Sequence, residues 1–306
     1  MKKLVIGTRG SRLARAQANL IMESLRLRHP EICCEIEIIQ TTGDKFLNET
    51  FDKIGGKGVF VKEIESALLD KDIDIAVHSM KDLPTEEHIQ LTLAAVTERE
   101  DPRDVLVSHK DYWLATLPKE ALIGTSSVRR RSQLLHFRSD LKFEPIRGNV
   151  NTRLGKMRDQ GLDGVVLAYA GLKRLNMEDQ VREIISMSIC MPAVGQGALG
   201  IQVRKEDDEV INLVSFLNHG PTARAVTAER AMLKTLGGGC QVPIGAFAEL
   251  KGTEIRLSGM VASTDGKFLL KDSLAGPLSQ AAFIGRHLAR RLLKKGADKI
   301  LESNCC

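Results

Sequence analysis

The chain has 306 residues, 43% hydrophobic and 27% charged, the balance of a globular protein of two or three domains rather than a disordered chain. No apolar run approaches the roughly 20 residues that cross a bilayer, and Leu4-Val5-Ile6 is too short for a signal peptide, so a cytoplasmic protein with no membrane partner is expected. The net charge of +5 is concentrated, with nine basic and two acidic residues over 124–158, which points to an anionic ligand; an aromatic content of 4% argues against a stacking platform for nucleic acid.

Residues 3–7 predict a short buried strand. Ser11 is placed to cap a helix running to about Arg28, with Leu13, Ala16, Leu20 and Leu25 on its apolar side. Residues 35–39 alternate like a strand, 59–69 suit a helix with Phe60, Ile64, Ala67 and Leu68 inward, and 73–77 and 91–96 read as strands. The charged, proline-containing run 98–104 predicts a first hinge.

A second alternating unit follows. Strands are expected near 105–107, 122–124, 142–146 and 165–168, with helices starting at Val128 and Val150. Residues 192–197 and 218–221 read as connections. The last third changes character: a helix over 222–236, strands over 244–250, 254–260 and 267–273 joined by Lys251-Gly252 and Asp265-Gly266 turns, and a closing helix over 281–295. That order fits a small α+β domain. The first two units are weakly alike, since Gly7-Thr8-Arg9-Gly10-Ser11 and Gly124-Thr125-Ser126-Ser127 each follow a strand and open a helix. Two similar α/β domains with a ligand at the carboxyl ends of their strands would follow.

Six cysteines lie at 33, 34, 190, 240, 305 and 306. They form no C-x-x-C pair and have no histidine at ligand spacing, so neither a metal site nor a disulfide framework is expected.

Several segments carry chemistry. In Gly124-Thr125-Ser126-Ser127-Val128-Arg129-Arg130-Arg131, hydroxyls and free backbone N–H groups meet at a helix start, where the dipole favours an anion and guanidiniums follow within a turn; plain capping of a basic helix explains it equally. Arg147-Gly148-Asn149-Val150-Asn151-Thr152-Arg153 repeats the pattern, Arg9 and Ser11 form a third instance, and Lys173 and Arg174 follow a fourth strand. Arginine suits planar carboxylates through its bidentate fork. In His78-Ser79-Met80-Lys81-Asp82, an acid among cations suits a catalytic carboxylate that stabilises a developing cation or moves a proton; a structural ion pair is the competing reading, and His78 reads as a hydrogen-bonded structural histidine. Gly237-Gly238-Gly239-Cys240 holds a thiol on an accessible loop, the best nucleophile candidate, though a plain turn cysteine fits as well. The loop Asp52-Lys53-Ile54-Gly55-Gly56-Lys57-Gly58 is either a lid bringing lysines over an anion or an ordinary surface loop. Gly195-Gln196-Gly197-Ala198-Leu199-Gly200 matches G-x-G-x-x-G literally, but a strand rather than a helix follows it, so it is not a dinucleotide fingerprint.

Taken together, Ala76-Val77-His78-Ser79-Met80-Lys81-Asp82, Gly124-Thr125-Ser126-Ser127-Val128-Arg129-Arg130, Arg147-Gly148-Asn149-Val150, Ala193-Val194-Gly195-Gln196-Gly197-Ala198 and Gly238-Gly239-Cys240-Gln241-Val242-Pro243 resemble the porphobilinogen deaminase (hydroxymethylbilane synthase) family from Ile6 to about Leu292. The resemblance implies two similar α/β domains, like the halves of periplasmic binding proteins, plus a small C-terminal α+β domain: 1–97 with 198–215, 103–191, and 220–306. It implies a transferase of tetrapyrrole (heme) biosynthesis that condenses four porphobilinogen molecules head to tail into hydroxymethylbilane, releasing ammonia, on a covalent dipyrromethane cofactor. It implies a thioether at Cys240 and catalysis by Asp82. Cofactor contacts would come from Lys81, Ser79, Thr125, Ser127, Arg129, Arg130, Asn149 and Arg147. Substrate contacts would come from Arg9, Ser11, Arg147, Arg153, Arg174 and Gln196, and a lid from Lys53, Lys57 and Phe60. A monomer with no nucleic-acid partner and no metal is implied. The family's first motif commonly reads Ser-Pro-Leu-Ala, and this chain has Ser11-Arg12-Leu13-Ala14; Cys305-Cys306 lies outside the resemblance. A non-catalytic two-domain polycarboxylate-binding protein is the alternative, which explains the arginines and leaves Cys240 without a role. Nucleic-acid binding through 124–158 would explain the charge alone.

Overall fold

The computed structural model describes residues 3–45, 61–86, 88–238 and 242–303. The chain opens with β1 (Lys3–Arg9), α1 (Arg12–Arg28), β2 (Cys33–Ile39), α2 (Thr42–Lys45), α3 (Lys62–Leu69), β3 (Ile75–Ser79) and β4 (Leu91–Val96). It continues through β5 (Asp104–Val107), β6 (Leu122–Gly124), α4 (Val128–Phe137), β7 (Lys142–Glu144), α5 (Val150–Asp159), β8 (Gly164–Ala168), α6 (Tyr169–Lys173) and β9 (Glu183–Ile184). The remainder is β10 (Leu199–Arg204), α7 (Asp208–Val214), α8 (Gly220–Thr235), β11 (Ile244–Lys251), β12 (Glu254–Ala262), β13 (Leu269–Pro277), α9 (Ala281–Leu292) and α10 (Asp298–Ser303). Two compact units result, 1–100 with 198–223 and 101–197 with 224–306.

The first unit holds a five-stranded sheet in the order β2-β1-β3-β10-β4. Its first three strands are parallel, and β10 runs antiparallel to both β3 and β4. The side chains of Leu4, Ile6, Ile75, Val77 and Ile201 pack with the inner face of α1. That face is Ala14, Ala18, Ile21 and Leu25, while Leu20 is 45% exposed. The apolar stripe is therefore rotated from the predicted one: α1 carries two stripes of helical spacing, and contact with the sheet selects the one with smaller residues at its start.

The second unit repeats this plan in the order β7-β6-β8-β5-β9, again three parallel strands followed by an antiparallel pair. The weak likeness between 7–11 and 124–127 thus corresponds to matching places, the turn after the second-position strand of each sheet. The same unit carries a three-stranded antiparallel sheet, β11-β12-β13, as the two turn signals predict. Helices α8 and α9 cover that sheet, burying Met232, Leu257, Leu288 and Leu292. Its Gly266 turn takes φ +73° and its carbonyl accepts from His136 Nδ1 of α4 at 2.9 Å.

Element ends differ from the sequence reading where tertiary contact decides them. Helix α8 starts at Gly220 rather than 222. The last helix breaks at 293–297, where Gly296 takes φ +97°, a left-handed conformation that interrupts the α9 ladder before α10. The two-residue β9 and the short helices α6 and α7 carry too little periodicity to be read from sequence.

Gly285 on α9 lies directly against α8. A methyl group there would overlap the Ala228 carbonyl oxygen and crowd the side chain of Ala231. Helix backbone cannot yield as a side chain does, so Gly285→Ala should destabilise the protein by about 1–3 kcal/mol or more. Chemical denaturation would show this as a lowered midpoint with an unchanged slope.

Candidate active site

Most of the predicted site residues that the structure describes lie at, or just after, the carboxyl ends of parallel strands. In the first unit, β1 delivers Arg9 and Ser11. Ser11 is the N-cap of α1, its Oγ accepting from the Ala14 N–H at 3.2 Å, so the helix start faces that strand end. Strand β3 delivers His78 and Ser79 and runs into a single 3-10 turn over Met80–Asp82. Buried Met80 anchors the turn, leaving Lys81 half-buried and Asp82 exposed. These ends enclose a cavity of about 70 Å³ with Arg9, Ser11, Gln17, His78, Ser79 and Asp82 as its polar lining and Leu13, Val61, Ile64 and Val77 as apolar wall.

Within this cavity the polar groups are differently engaged. Ser79 Oγ accepts from Gln17 Nε2 at 3.0 Å. His78 is 6% exposed, and its Nε2 lies 3.0 Å from Gln202 Oε1. Burial pushes the imidazole down to about 4, against the upward pull of Gln202 and the Asp82 charge, with Arg9 adding to the depression. Among the described residues Asp82 makes no ion pair and no side-chain hydrogen bond. The ion-pair reading of this acid is therefore not what the fold contains: its carboxylate is open to a ligand.

In the second unit, Ser127 caps α4 by accepting from the Arg130 N–H at 3.4 Å, and Asn149 caps α5 by accepting from the Thr152 N–H at 2.9 Å. Thr125 is buried and its Oγ1 accepts from the Ser127 N–H at 3.2 Å. Arg147 is half-buried between these helix starts in sequence. Arg153 Nε donates to the Gly148 carbonyl at 2.8 Å, and Arg174 to the Gly197 carbonyl at 2.5 Å, so both are oriented by backbone oxygens.

Arg129, Arg130 and Gln196, the expected cofactor and substrate contacts, are engaged with one buried acid. All three surround Asp104, the fully buried first residue of β5. Asp104 Oδ2 accepts from Arg129 at 2.8 Å; Oδ1 accepts from Arg130 Nε at 3.0 Å, from its Nη2 at 2.8 Å, and from Gln196 Nε2 at 2.9 Å. Arg129 also donates to the Met191 carbonyl, Arg130 to that of Val166 at 2.9 Å, and Gln196 to that of Pro102 at 2.6 Å. The buried carboxylate and these carbonyls hold the guanidiniums inward, since a charge taken out of water needs several acceptors. The pair holds the Asp104 carboxyl far below its usual range despite burial. One carboxylate against two guanidiniums leaves a buried excess of one positive charge at the start of α4, which adds to the helix dipole there. Cys190 joins the cluster, donating to Asp104 at 3.3 Å; burial pushes its thiol up to about 12, which makes it inert.

Cys240, Lys53, Lys57 and Phe60 lie outside the described residues. The sequence reading missed Asp104, Gln202 and Glu229. Glu229 of α8 is buried and accepts from the backbone N–H groups of Gly195 at 2.8 Å and Ala248 at 2.9 Å, tying 193–197 to β11. No group of three or more His, Cys, Asp or Glu among the described residues could hold a metal ion, and no helix among them is long and apolar enough to cross a membrane.

Residues 4–212 match the family described as porphobilinogen deaminase, dipyromethane cofactor binding domain, and 223–294 match porphobilinogen deaminase, C-terminal domain. The chain belongs to the porphobilinogen deaminase family. It is 48% identical over 303 residues to the porphobilinogen deaminase of Alkaliphilus metalliredigens, covering 99% of this chain and 96% of that protein. With that of Moorella thermoacetica it is 50% identical over 302 residues, again covering 99% and 96%. Among solved structures, the periplasmic aliphatic sulphonate binding protein SsuA from Escherichia coli aligns with 77% of this chain and 70% of its own, at 14% identity and a TM-score of 0.42.

The residues present fit the family's dipyrromethane group. In the first unit Arg9 and the capped start of α1 offer donors suited to carboxylates and Asp82 an acceptor suited to a pyrrole N–H; in the second unit, taken by itself, Arg147, Arg153 and the capped starts of α4 and α5 offer donors of the same kind.

Two consequences are measurable. Asp104→Asn leaves two buried guanidiniums without a counter-charge and should cost about 3–5 kcal/mol of stability by denaturation. The His78 pKa falls on folding from 6.5 to about 4, so the unfolded chain binds the proton first. The stability this contributes is complete above pH 6.5 and is lost as pH falls towards 4. Compared with His78→Asn, the wild type should lose stability with an excess slope approaching about 1.4 kcal/mol per pH unit in that window.

Proposed function

We propose that this chain condenses four porphobilinogen molecules head to tail into hydroxymethylbilane, with one ammonia released per addition. The observation that carries the reading is the first-unit cavity, lined by Asp82, which has no ion-pair partner among the described residues, with Arg9 and the α1 cap Ser11, in a chain that matches the family along nearly its whole length. When bound, the dipyrromethane supplies the primer on which the units are joined.

The chain's own residues then divide the work. Each porphobilinogen carries two carboxylates and an aminomethyl arm. Arg9 and Ser11 bind carboxylate at the start of α1. The Asp82 carboxylate accepts the pyrrole N–H of the reacting unit. As the C–N bond breaks, its electron pair leaves with ammonia and positive charge spreads over the ring. Asp82 lowers the energy of that charge more than that of the neutral ring, which is what accelerates the step. Lys81 and Ser79 flank Asp82 and bind the cofactor side chains. Thr125, Ser127, Asn149, Arg147, Arg153 and Arg174 hold further carboxylates at the second-unit strand ends. Arg129 and Arg130 favour them through the residual charge of the Asp104 cluster, and Gln196 acts by holding Asp104. Cys240 is the thioether tether, and Lys53, Lys57 and Phe60 form the lid. The division into 1–97 with 198–215, 103–191 and 220–306, a monomeric state and a cytoplasmic location belong to the same reading.

Asp82→Asn keeps the shape but not the charge and should lower turnover about 100-fold or more, with Asp82→Glu retaining part of it. A fully active Asn variant would remove Asp82 from the chemistry. Intact mass should exceed the sequence mass by one dipyrromethane in the wild type and not in Cys240→Ser. A wild-type mass equal to the sequence mass, with no porphobilinogen consumed, would favour a non-catalytic binder.

A further inference from the structure

A hydrogen-bond chain behind the cavity fixes the tautomer of His78. Gln202 sits on β10, 1% exposed, hydrogen-bonded between β3 and β4. Its Nε2 donates to Glu65 Oε1 of α3 at 2.9 Å. A carboxylate only accepts, so this bond fixes which end of the amide is nitrogen. The remaining Oε1 faces His78 Nε2 at 3.0 Å. An amide oxygen also only accepts, so His78 Nε2 carries the hydrogen. The neutral ring then has a bare Nδ1. Among the described residues Nδ1 has no hydrogen-bond partner, although the residue is more than nine-tenths buried and lines the cavity beside Asp82. An unpartnered ring acceptor on a largely buried residue that lines a cavity is a place for a donor from the ligand.

Porphobilinogen brings such a donor, since its aminomethyl arm is an ammonium at neutral pH. We propose that His78 Nδ1 accepts an N–H hydrogen bond from this ammonium and orients the C–N bond that breaks, with Glu65 and Gln202 as positioning residues that fix the required tautomer. This rests on the reading of the cavity as the reaction site. A neutral acceptor suits the task better than a second carboxylate, because Asp82 already supplies the negative charge and two carboxylates would hold the ammonium too tightly to leave. His78 gains no proton: the N–H hydrogens stay on nitrogen and depart with ammonia. The charged groups around the ring are Asp82 on the adjoining turn, Arg9 from β1 and Glu65 from α3 through Gln202. Burial outweighs their combined effect and keeps the ring uncharged at working pH.

The first test is nitrogen NMR of the imidazoles in the cofactor-loaded full chain at neutral pH, with His78 assigned by its loss in His78→Asn. A protonated Nε2 and a bare Nδ1 are expected; the reverse tautomer, or an imidazolium, would overturn the proposal without any variant having to fold. The second test is kinetic. Asn places an amide oxygen near the Nδ1 position, so His78→Asn should keep KM for porphobilinogen within about threefold. His78→Leu should raise it about tenfold or more, with a smaller change in kcat. Gln202→Glu should draw a proton onto the ring, visible as loss of the bare Nδ1 signal, and raise KM in parallel. Glu65→Gln, which keeps an acceptor for Gln202, should rescue the tautomer that Glu65→Leu loses. Equal KM values in the Asn, Leu and wild-type proteins would overturn the contact while leaving Asp82 and the overall reaction standing. A wild type that consumes no porphobilinogen would instead remove the function on which the contact rests.

Discussion

Each five-stranded sheet is completed by a strand distant in sequence from the parallel strand it pairs with, and the groups at each sheet's strand ends depend on that strand. Strand β10 enters the first sheet beside β3, more than a hundred residues after it, and β5 is the second sheet's first strand in sequence although it sits fourth in order. Both run antiparallel to the parallel triplet they join. Until they dock, β3 and β8 have an unpaired edge next to the strand ends that carry Asp82 and Arg174. Each arriving strand also brings the buried polar group that organises its side of the chemistry: Gln202 on β10, which sets the hydrogen on His78, and Asp104 on β5, which gathers Arg129, Arg130 and Gln196. In each unit the strand that closes the parallel triplet therefore also carries the polar group that orients its neighbours.

The basic segment 124–158 shows how little a charge count says about where cations end up. Arg129 and Arg130 turn into the protein around Asp104. Arg138 pairs with Asp140 at 2.7 Å and donates to several carbonyls, and Lys142 pairs with Glu120 at 3.3 Å. A buried pair of guanidiniums on one carboxylate is poor value as stabilisation, since desolvation offsets most of the attraction. It makes better sense as a fixed positive charge at the start of α4, where a solvated side chain would move and be screened.

What the sequence revealed was local. Ser11, Ser127 and Asn149 marked helix starts because an N-cap is decided within four residues. Strands 91–96 and 122–124 were legible from their apolar runs and the breakers around them, and the C-terminal sheet from its glycine turns. Asp82 stood out because an acid directly after an apolar strand, among so many cations, lacks an obvious structural use. The groups that remained hidden pair across long separations. Asp104 meets Arg129 across 25 residues and Gln196 across 92, and His78 meets Gln202 across 124. No spacing rule covers such pairs, and a buried glutamine has the same local signature as a surface one. Face assignment failed on α1 for a related reason, since two stripes of equal period can be separated only by what they pack against.

The likeness of the two α/β sheets makes their difference informative. In both, the third parallel strand ends where a charged residue follows, and the residues there are opposite in kind. After β3 comes a single 3-10 turn bearing Asp82; after β8 comes α6, ending at Lys173 with Arg174 as its cap. A one-turn element leaves its acid exposed and, among the described residues, without an ion-pair partner. A longer helix lets its basic end fold back, as Arg174 does onto the Gly197 carbonyl. The same topology thus presents a free negative charge in one unit and oriented positive charges in the other. Two sheets of one strand order differ in the kind of charge that follows their third parallel strand, and the length of the element after that strand is what separates them.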